Sequence, residues 1–363
     1  MPLSVQSKMN LRDWQQKFID EFPSILKKYR RFIIKAPTGA GKTVMASELI
    51  ERFYKGKKII VLCHRLVLLE QLDEALKKKH SVRKLKISDK GTAFEDYDIL
   101  LSTTMRAKNV LEDAIPKADV IIVDEAHRVS PNGTGYKRII DDFNERGKKG
   151  APFIGMTASP ERRTGDQRDQ LGLAFDAIID CANIENLIEE GVLVKPIYRP
   201  HFVHDLELDT IDISSGDFPV AKLSSAITRS SMIDYAIWCY NEERLKTKGR
   251  PISAWFCADV SVAETTLRSI RENGIEAAIV TAKTPVKERM KLLACHESGE
   301  IEAMVSVGVL SEGWDNPHCN IIVHLRPTLS KVLWGQSVGR GLRSAPGKEQ
   351  CVIIDVSSNW STF

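Results

Sequence analysis

The 363-residue chain sets 52 Lys and Arg against 48 Asp and Glu, a formal net charge of +4, with 43% hydrophobic and 28% charged residues. That balance excludes fibrous and disordered classes, and no run of eighteen apolar residues offers a membrane span. At roughly 150 residues per domain the length predicts two domains, and the slight basic excess permits a polyanionic partner without demanding one.

Short β-branched runs at residues 32–35, 58–62, 99–101, 120–123 and 153–156 are each followed by a helix-like or loop segment. Being apolar on both faces, they predict strands of a parallel sheet covered by helices, so an α/β domain is expected over residues 1–190. From Asn186 to about Arg229, Gly191, Pro196, Pro200, Gly216 and Pro219 punctuate polar sequence, and a junction is expected over 191–230. The strand pattern resumes at 253–257, 277–280, 303–307, 321–324 and 352–355, with helical stretches at 262–273 and 285–297. A second parallel α/β domain is therefore expected over 231–363. No residue-level repeat links the halves, which excludes a solenoid.

The seven cysteines are an odd number without a Cys-x-x-Cys pair, and they predict reduced thiols. Cys295-His296 and His318-Cys319 match no usual zinc spacing and read as core or surface residues. With no signal-peptide core between Met1 and Lys17, the chain reads as soluble and intracellular.

The strongest chemical signal is Ala36-Pro37-Thr38-Gly39-Ala40-Gly41-Lys42-Thr43, between a predicted strand and an amphipathic helix. Glycines let backbone N–H groups curl around phosphates, and a helix N-terminus adds partial positive charge. Lys42 is expected on the β- and γ-phosphates and Thr43 on magnesium, with the residues from Pro37 to Gly41 forming the loop. The second signal is an apolar strand ending in Asp124-Glu125-Ala126-His127. An acid at the tip of a neighbouring strand can hold magnesium, and the next can orient the attacking water, so Asp124 takes the metal role and Glu125 the catalytic one.

These two motifs establish an ATPase, and the order of further signatures resembles the superfamily-two helicases of the DEAH-box type. Cys63-His64-Arg65 opens Leu66 to Gln71, followed by Ser102-Thr103-Thr104, the Asp-Glu-Ala-His box and Thr157-Ala158-Ser159-Pro160. The second half carries Val307 to Pro317 and Gln336-Ser337-Val338-Gly339-Arg340-Gly341-Leu342-Arg343. The resemblance implies two RecA-like domains in tandem with ATP in the cleft between them. It implies that Arg65 and Thr104 lie near the nucleic-acid backbone, and that His127, Thr157 and Ser159 couple the ATP site to the nucleic-acid track. Gly313 and Asp315 are assigned to the nucleotide, and Gln15, with Arg12, to its base. Two arginines three apart on a helix or its end share a face, so Arg340 and Arg343, with Gln336, can address one γ-phosphate as arginine fingers. Trp314 and Trp334 read equally as base-stacking, core or domain-interface residues.

Within that superfamily the chain is most similar to the RadD-like and type III restriction-motor branch. The carriers are Asn186 to Gly191, Thr281 to Arg289, Leu325 to Thr328, and Gln336 to Arg343 followed by Ala345-Pro346-Gly347-Lys348. Ser159 replaces the commoner threonine of the coupling motif and keeps its hydroxyl. RadD-like proteins continue into a cysteine-bearing C-terminal region, which leaves a minimal motor, as in a phage acting in a bacterial host, or a truncated chain. The implied function is an ATP- and magnesium-dependent helicase or translocase on single-stranded or branched DNA, with protein partners in replication, repair or defence. The alternatives are a nucleotide-gated clamp and the motor subunit of a restriction complex.

Overall fold

A computed structural model describes residues 11–64, 66–77, 80–84, 98–110, 118–129, 152–160, 171–172, 174–214, 216–310 and 314–359. The chain divides into two compact units, the second taking up the chain from Ile184.

The first unit contains α1 (Asp13–Lys28), β1 (Arg31–Lys35), α2 (Lys42–Phe53), β2 (Ile59–Cys63), α3 (Leu66–Lys77), β3 (Val82–Lys84), β4 (Ile99–Thr103), α4 (Thr104–Val110), β5 (Val120–Asp124), β6 (Phe153–Thr157) and β7 (Ala177–Asp180). Among the described residues they form one parallel sheet in the order β3-β4-β2-β5-β6-β1-β7. The central strands β2, β4, β5 and β6 are buried at every position, which is why they read as unbroken apolar runs. At one edge β7 alternates partly buried with exposed residues, and ion pairs Arg31–Asp176 (2.7 Å) and Lys35–Asp180 (2.6 Å) fasten it to β1. Helix α1 buries Trp14, Phe18, Ile19 and Phe22, and Phe22 meets the rings of Phe32, Phe53 and Tyr54.

The second unit contains α5 (Ile184–Glu189), β8 (Lys195–Pro200), α6 (Val220–Arg229), α7 (Met232–Lys246), β9 (Ser253–Cys257), α8 (Val260–Glu272), β10 (Ala277–Val280), α9 (Val286–Glu297), β11 (Ala303–Ser306), β12 (Ile321–Leu325), α10 (Lys331–Gly341) and β13 (Gln350–Asp355). Its parallel sheet runs β10-β11-β9-β12-β13-β8.

The segment expected as a junction, 191–230, is built into this unit. Strand β8 pairs with β13 along its whole length, and Leu223, Ala226 and Ile227 of α6 enter the second core. Pro196 and Pro200 suggested a break, yet proline costs no ladder bond where its missing N–H faces away from the sheet, as an edge strand permits. Among the described residues no helix is long and apolar enough to cross a membrane.

Candidate active site

Parallel register brings the sequence signatures of the first unit to one edge of its sheet. Lys35 at the end of β1 lies level with Thr157 of β6, Asp124 of β5 with Met156, and Cys63 of β2 with Thr103 of β4. Every loop that follows these strands therefore opens at the carboxyl edge, where ligands of parallel sheets bind.

The loop from Ala36 to Gly41 joins β1 directly to α2, and Lys42 is the first residue of that helix. Its chain turns back on itself, Ala40 N–H donating to Pro37 O (3.2 Å), and Ala36 N–H donates to Thr157 O (3.1 Å). The Lys42 ammonium reaches back over the loop to Ala36 O at 3.0 Å. Gly41 sits at φ +95°, and a Cβ there would lie 2.8 Å from Gln15 Nε2 and 3.2 Å from Arg12 Nη1. Glycine is thus required twice over at position 41, by conformation and by space. Gln15 is buried; its Nε2 donates to Gly41 O (3.1 Å) while its Oε1 accepts the Arg12 N–H (2.9 Å). Gln15 and Arg12, expected at the nucleotide base, lie against Gly41 of this loop, and Gln15 holds the loop's backbone. Pro37, Thr38, Gly39 and Thr43 are half-buried, and Ala40 is buried. A left-handed glycine at the mouth of a twelve-residue helix, with a lysine folded over the loop, fits a phosphate chain.

Two strands away, Asp124 is 8% exposed and its Oδ1 accepts the Glu125 N–H at 2.9 Å. Glu125 itself adopts the left-handed conformation (φ 53°, ψ 49°), which costs a non-glycine residue roughly 1–3 kcal/mol and re-aims the chain out of the strand. The short 3-10 turn Ala126–Arg128 follows and buries His127. His127 Nδ1 lies 2.9 Å from Thr157 Oγ1 and 3.3 Å from Glu125 Oε2, and Thr157 Oγ1 accepts the Ser159 N–H at 3.2 Å. The residues expected to couple, His127, Thr157 and Ser159, are joined by hydrogen bonds through the Thr157 hydroxyl, and the Glu125 carboxylate lies 3.3 Å from the same His127 nitrogen.

Sequence reasoning passed over Gly155 in β6. A Cβ at that position would stand 2.6 Å from Ala126 Cβ and 2.9 Å from the Phe175 ring. Only glycine lets the Asp-Glu-Ala-His turn lie flat on its neighbouring strand, and a lone glycine inside an apolar strand was the available signal.

Of the residues expected near nucleic acid, Arg65 lies outside the described residues. Thr104 opens α4 and is 4% exposed, with Oγ1 donating to Cys63 O at 3.2 Å. Its hydroxyl ties the end of β4 to the end of β2.

In the second unit Arg340 is buried in the last turn of α10 and donates from Nη1 to Trp314 O at 2.7 Å. Helix α10 stops at Gly341, so Arg343 lies beyond it. The two arginines meet through one acceptor rather than a continuing helical face: Arg343 Nη1 lies 3.4 Å from the same Trp314 O, and its guanidinium is paired with Asp315. Gly313 falls outside the described residues. Gln336 is 3% exposed, and its Oε1 is buried with no hydrogen-bond partner among the described residues. Trp314 and Trp334 are buried, Trp314 beside the His296 ring and Trp334 beside the His324 ring.

Asn316 and His296 had not been linked by sequence. Asn316 Nδ2 lies 3.1 Å from His296 Nδ1, and His296 Nε2 lies 3.0 Å from Ser253 O. A neutral ring satisfies both contacts, Nε2–H donating and Nδ1 accepting, and burial pushes the histidine down to about 4. His296 is thus a core residue, and no group of metal-ligating side chains occurs among the described residues.

Comparison with known proteins follows this geometry. Residues 8–162 match the family model of the type III restriction enzyme res subunit, and residues 238–345 match the helicase conserved C-terminal domain. IRC3 of Saccharomyces cerevisiae, provisionally named an ATP-dependent helicase, is 29% identical over 358 residues, which is 95% of this chain and 51% of the yeast protein. A fragment from Vibrio vulnificus YJ016, provisionally assigned as the HsdR subunit of a type I restriction enzyme, superposes with a TM-score of 0.73 at 21% identity, over 97% of this chain and 65% of that one. The DNA-bound ATP-dependent type ISP restriction-modification enzyme LlaBIII gives a TM-score of 0.68 at 16% identity, over 97% of this chain and 28% of that one. At such identities the structural likeness shows a shared fold of two parallel-sheet domains in tandem. The chain spans between about half and two thirds of the length of its first curated relatives.

Proposed function

Because this chain is a superfamily-two helicase of the type III restriction res-subunit branch, an ATP-hydrolysing family, we propose that it is an ATP-driven translocase acting on single-stranded or branched DNA. The observation that carries the reading is the chain of contacts from Glu125 through His127 and Thr157 to Ser159. It connects the carboxylate best placed to act on water with a neighbouring strand end, a connection that a simple nucleotide-binding domain does not need.

On this reading the backbone N–H groups from Thr38 to Gly41, in the loop that opens at Pro37, and the Lys42 ammonium hold the β- and γ-phosphates. Gln15 and Arg12, already at the loop, address the base. Magnesium, for which Thr43 and Asp124 supply oxygen ligands, would neutralise charge on the phosphates. Glu125 orients the attacking water and takes its proton. Arg340 and Arg343, supplied by the second domain with Gly313 and Asp315 nearby in sequence, stabilise charge on the transferring phosphoryl group. Arg343 must first exchange its Asp315 partner for the nucleotide, which makes that ion pair a resting contact. Leaving Gln336 Oε1 buried and unpaired costs roughly 1–3 kcal/mol, so the group is better explained by a role as acceptor in the ATP-bound assembly than by stability. Arg65 and Thr104 would face the nucleic-acid backbone, where contacts to phosphate are sequence-independent and weaken with salt.

A restriction or defence motor is the second reading, favoured by the res-subunit match and by the likeness to restriction-enzyme subunits. Steady-state ATP hydrolysis by wild type and Lys42→Ala, alone and with single-stranded DNA, forked DNA or RNA, tests both. Stimulation by DNA that disappears in Lys42→Ala is expected. Hydrolysis that no nucleic acid stimulates would remove the autonomous motor and leave the subunit reading, in which a partner completes the enzyme.

A further inference from the structure

Lys348 stands in the turn between α10 and β13, where Lys348 N–H donates to Ala345 O at 3.0 Å. Its Nζ lies 2.8 Å from Pro317 O, 2.7 Å from Gly341 O and 2.7 Å from Arg343 O. An ammonium has three protons to donate, so these carbonyls exhaust it. Two acceptors belong to the end of the helix that carries Arg340 and to Arg343 itself. The third closes the segment Trp314–Pro317, whose first carbonyl receives both arginines.

Burial pulls the lysine's pKa below its ordinary value, and among the described residues its ammonium is held by carbonyl oxygens. A charge buried on carbonyls alone contributes little net stability compared with an apolar side chain of similar volume. What it adds is geometry, since only a cation with three donors can fasten three carbonyls from two segments at one point.

We propose that Lys348 is a positioning residue for the arginine pair: by clamping the carbonyls of Pro317, Gly341 and Arg343 it holds the end of α10 against the Trp314–Pro317 segment, so that Arg340 and Arg343 are presented together. The proposal rests on the reading of these arginines as fingers toward ATP. It differs from ordinary helix capping because its consequence falls on turnover rather than on folding alone.

The test compares kcat and KM for ATP in wild type, Lys348→Met, Arg343→Ala and the double variant, with amide hydrogen exchange on the same proteins. Lys348→Met is expected to lower kcat about tenfold to a hundredfold while KM stays within about threefold, and to slow Arg343→Ala by a smaller factor than it slows wild type, because only the Arg340 share of its effect is left. Losses that multiply in the double variant would show that Lys348 acts independently of Arg343 and overturn the proposal. In exchange, the amides of 314–316 and 342–344 should lose protection while β9 keeps its own; unchanged exchange at those two segments overturns the clamp whatever the activity. If β9 loses protection too, Lys348→Gln, which keeps a hydrogen-bond donor at the site, is read instead, and the same loss there makes Lys348 a general stabiliser and ends the proposal. Wild-type protein that hydrolyses no ATP would sink the functional reading alone, leaving the exchange result to decide the clamp.

Discussion

A single hydroxyl, that of Thr157, stands between the Glu125 turn and the strand end beyond it. It meets His127 Nδ1 at 2.9 Å and accepts the Ser159 N–H at 3.2 Å, and its side chain is fully buried. Replacing it with valine keeps the shape of the side chain and removes only the polar link, at a cost to stability of roughly 1–3 kcal/mol for the partners left unsatisfied. Thr157→Val is expected to reduce the DNA-stimulated ATPase rate about tenfold more than the unstimulated rate, as measured by hydrolysis with saturating and with no DNA. An equal fall in both rates would mean that Thr157 shapes the Glu125 turn without coupling it. Sequence alone placed this residue by its position in a series of motifs. That its partner is His127, thirty positions earlier, follows from β5 and β6 being neighbours in the sheet.

Strands and turns decide how close the chemistry can come together. The approach of the Ala126 methyl to β6 leaves no room for a side chain at Gly155, where an added Cβ would stand 2.6 Å away. Gly155→Ala is expected to destabilise the first unit by about 1–3 kcal/mol through overpacking, visible as a lower melting temperature, and to slow ATP hydrolysis by displacing the Glu125 turn. A variant that melts and turns over like wild type would show that the turn can shift at little cost. The same scale explains the arginines. The spacing of Arg340 and Arg343 sets them together on a helix or its end; α10 ends between them, and the Trp314 carbonyl is the acceptor that both reach. It also explains the misplaced junction, because an edge strand containing prolines lacks the apolar run that reveals a central strand, and nothing local in Lys195–Pro200 announces its pairing with β13.

At the scale of the molecule, each unit has its own sheet and its own core, and their responses to pH need not match. His296 and His324 are buried in the second unit, where burial lowers them to about 4 and about 3 from an ordinary value of 6.5. Their folded forms refuse protons that the unfolded chain accepts. Stability is therefore full above about pH 6.5, falls as pH drops through the window down to about 4 for His296 and about 3 for His324, and levels off below. At pH 5 each histidine should cost on the order of 2 kcal/mol. Calorimetry between pH 7 and 5 is expected to show the second unit's transition moving down, and less steeply with pH in His296→Gln. A melting profile that does not change with pH would mean that these rings are charged or hydrated in the folded protein.

By itself the sequence determined the fold class and the strands at the centre of both sheets, and its Gly-Lys-Thr loop and paired acids carried the helicase resemblance. Those features are written locally. A loop that wraps phosphate needs glycines and a lysine in consecutive positions, and a strand buried on both faces needs an unbroken apolar run. The tertiary structure alone decided which groups meet: Gly155 beneath Ala126, His296 against Asn316, both arginines on Trp314 O, and Lys348 across three carbonyls. These are contacts between segments distant in the chain. Their residues carry no local pattern, since a glycine, a histidine or a lysine reads the same in solvent as in a core, and only the packing of neighbouring strands and helices gives each its partner.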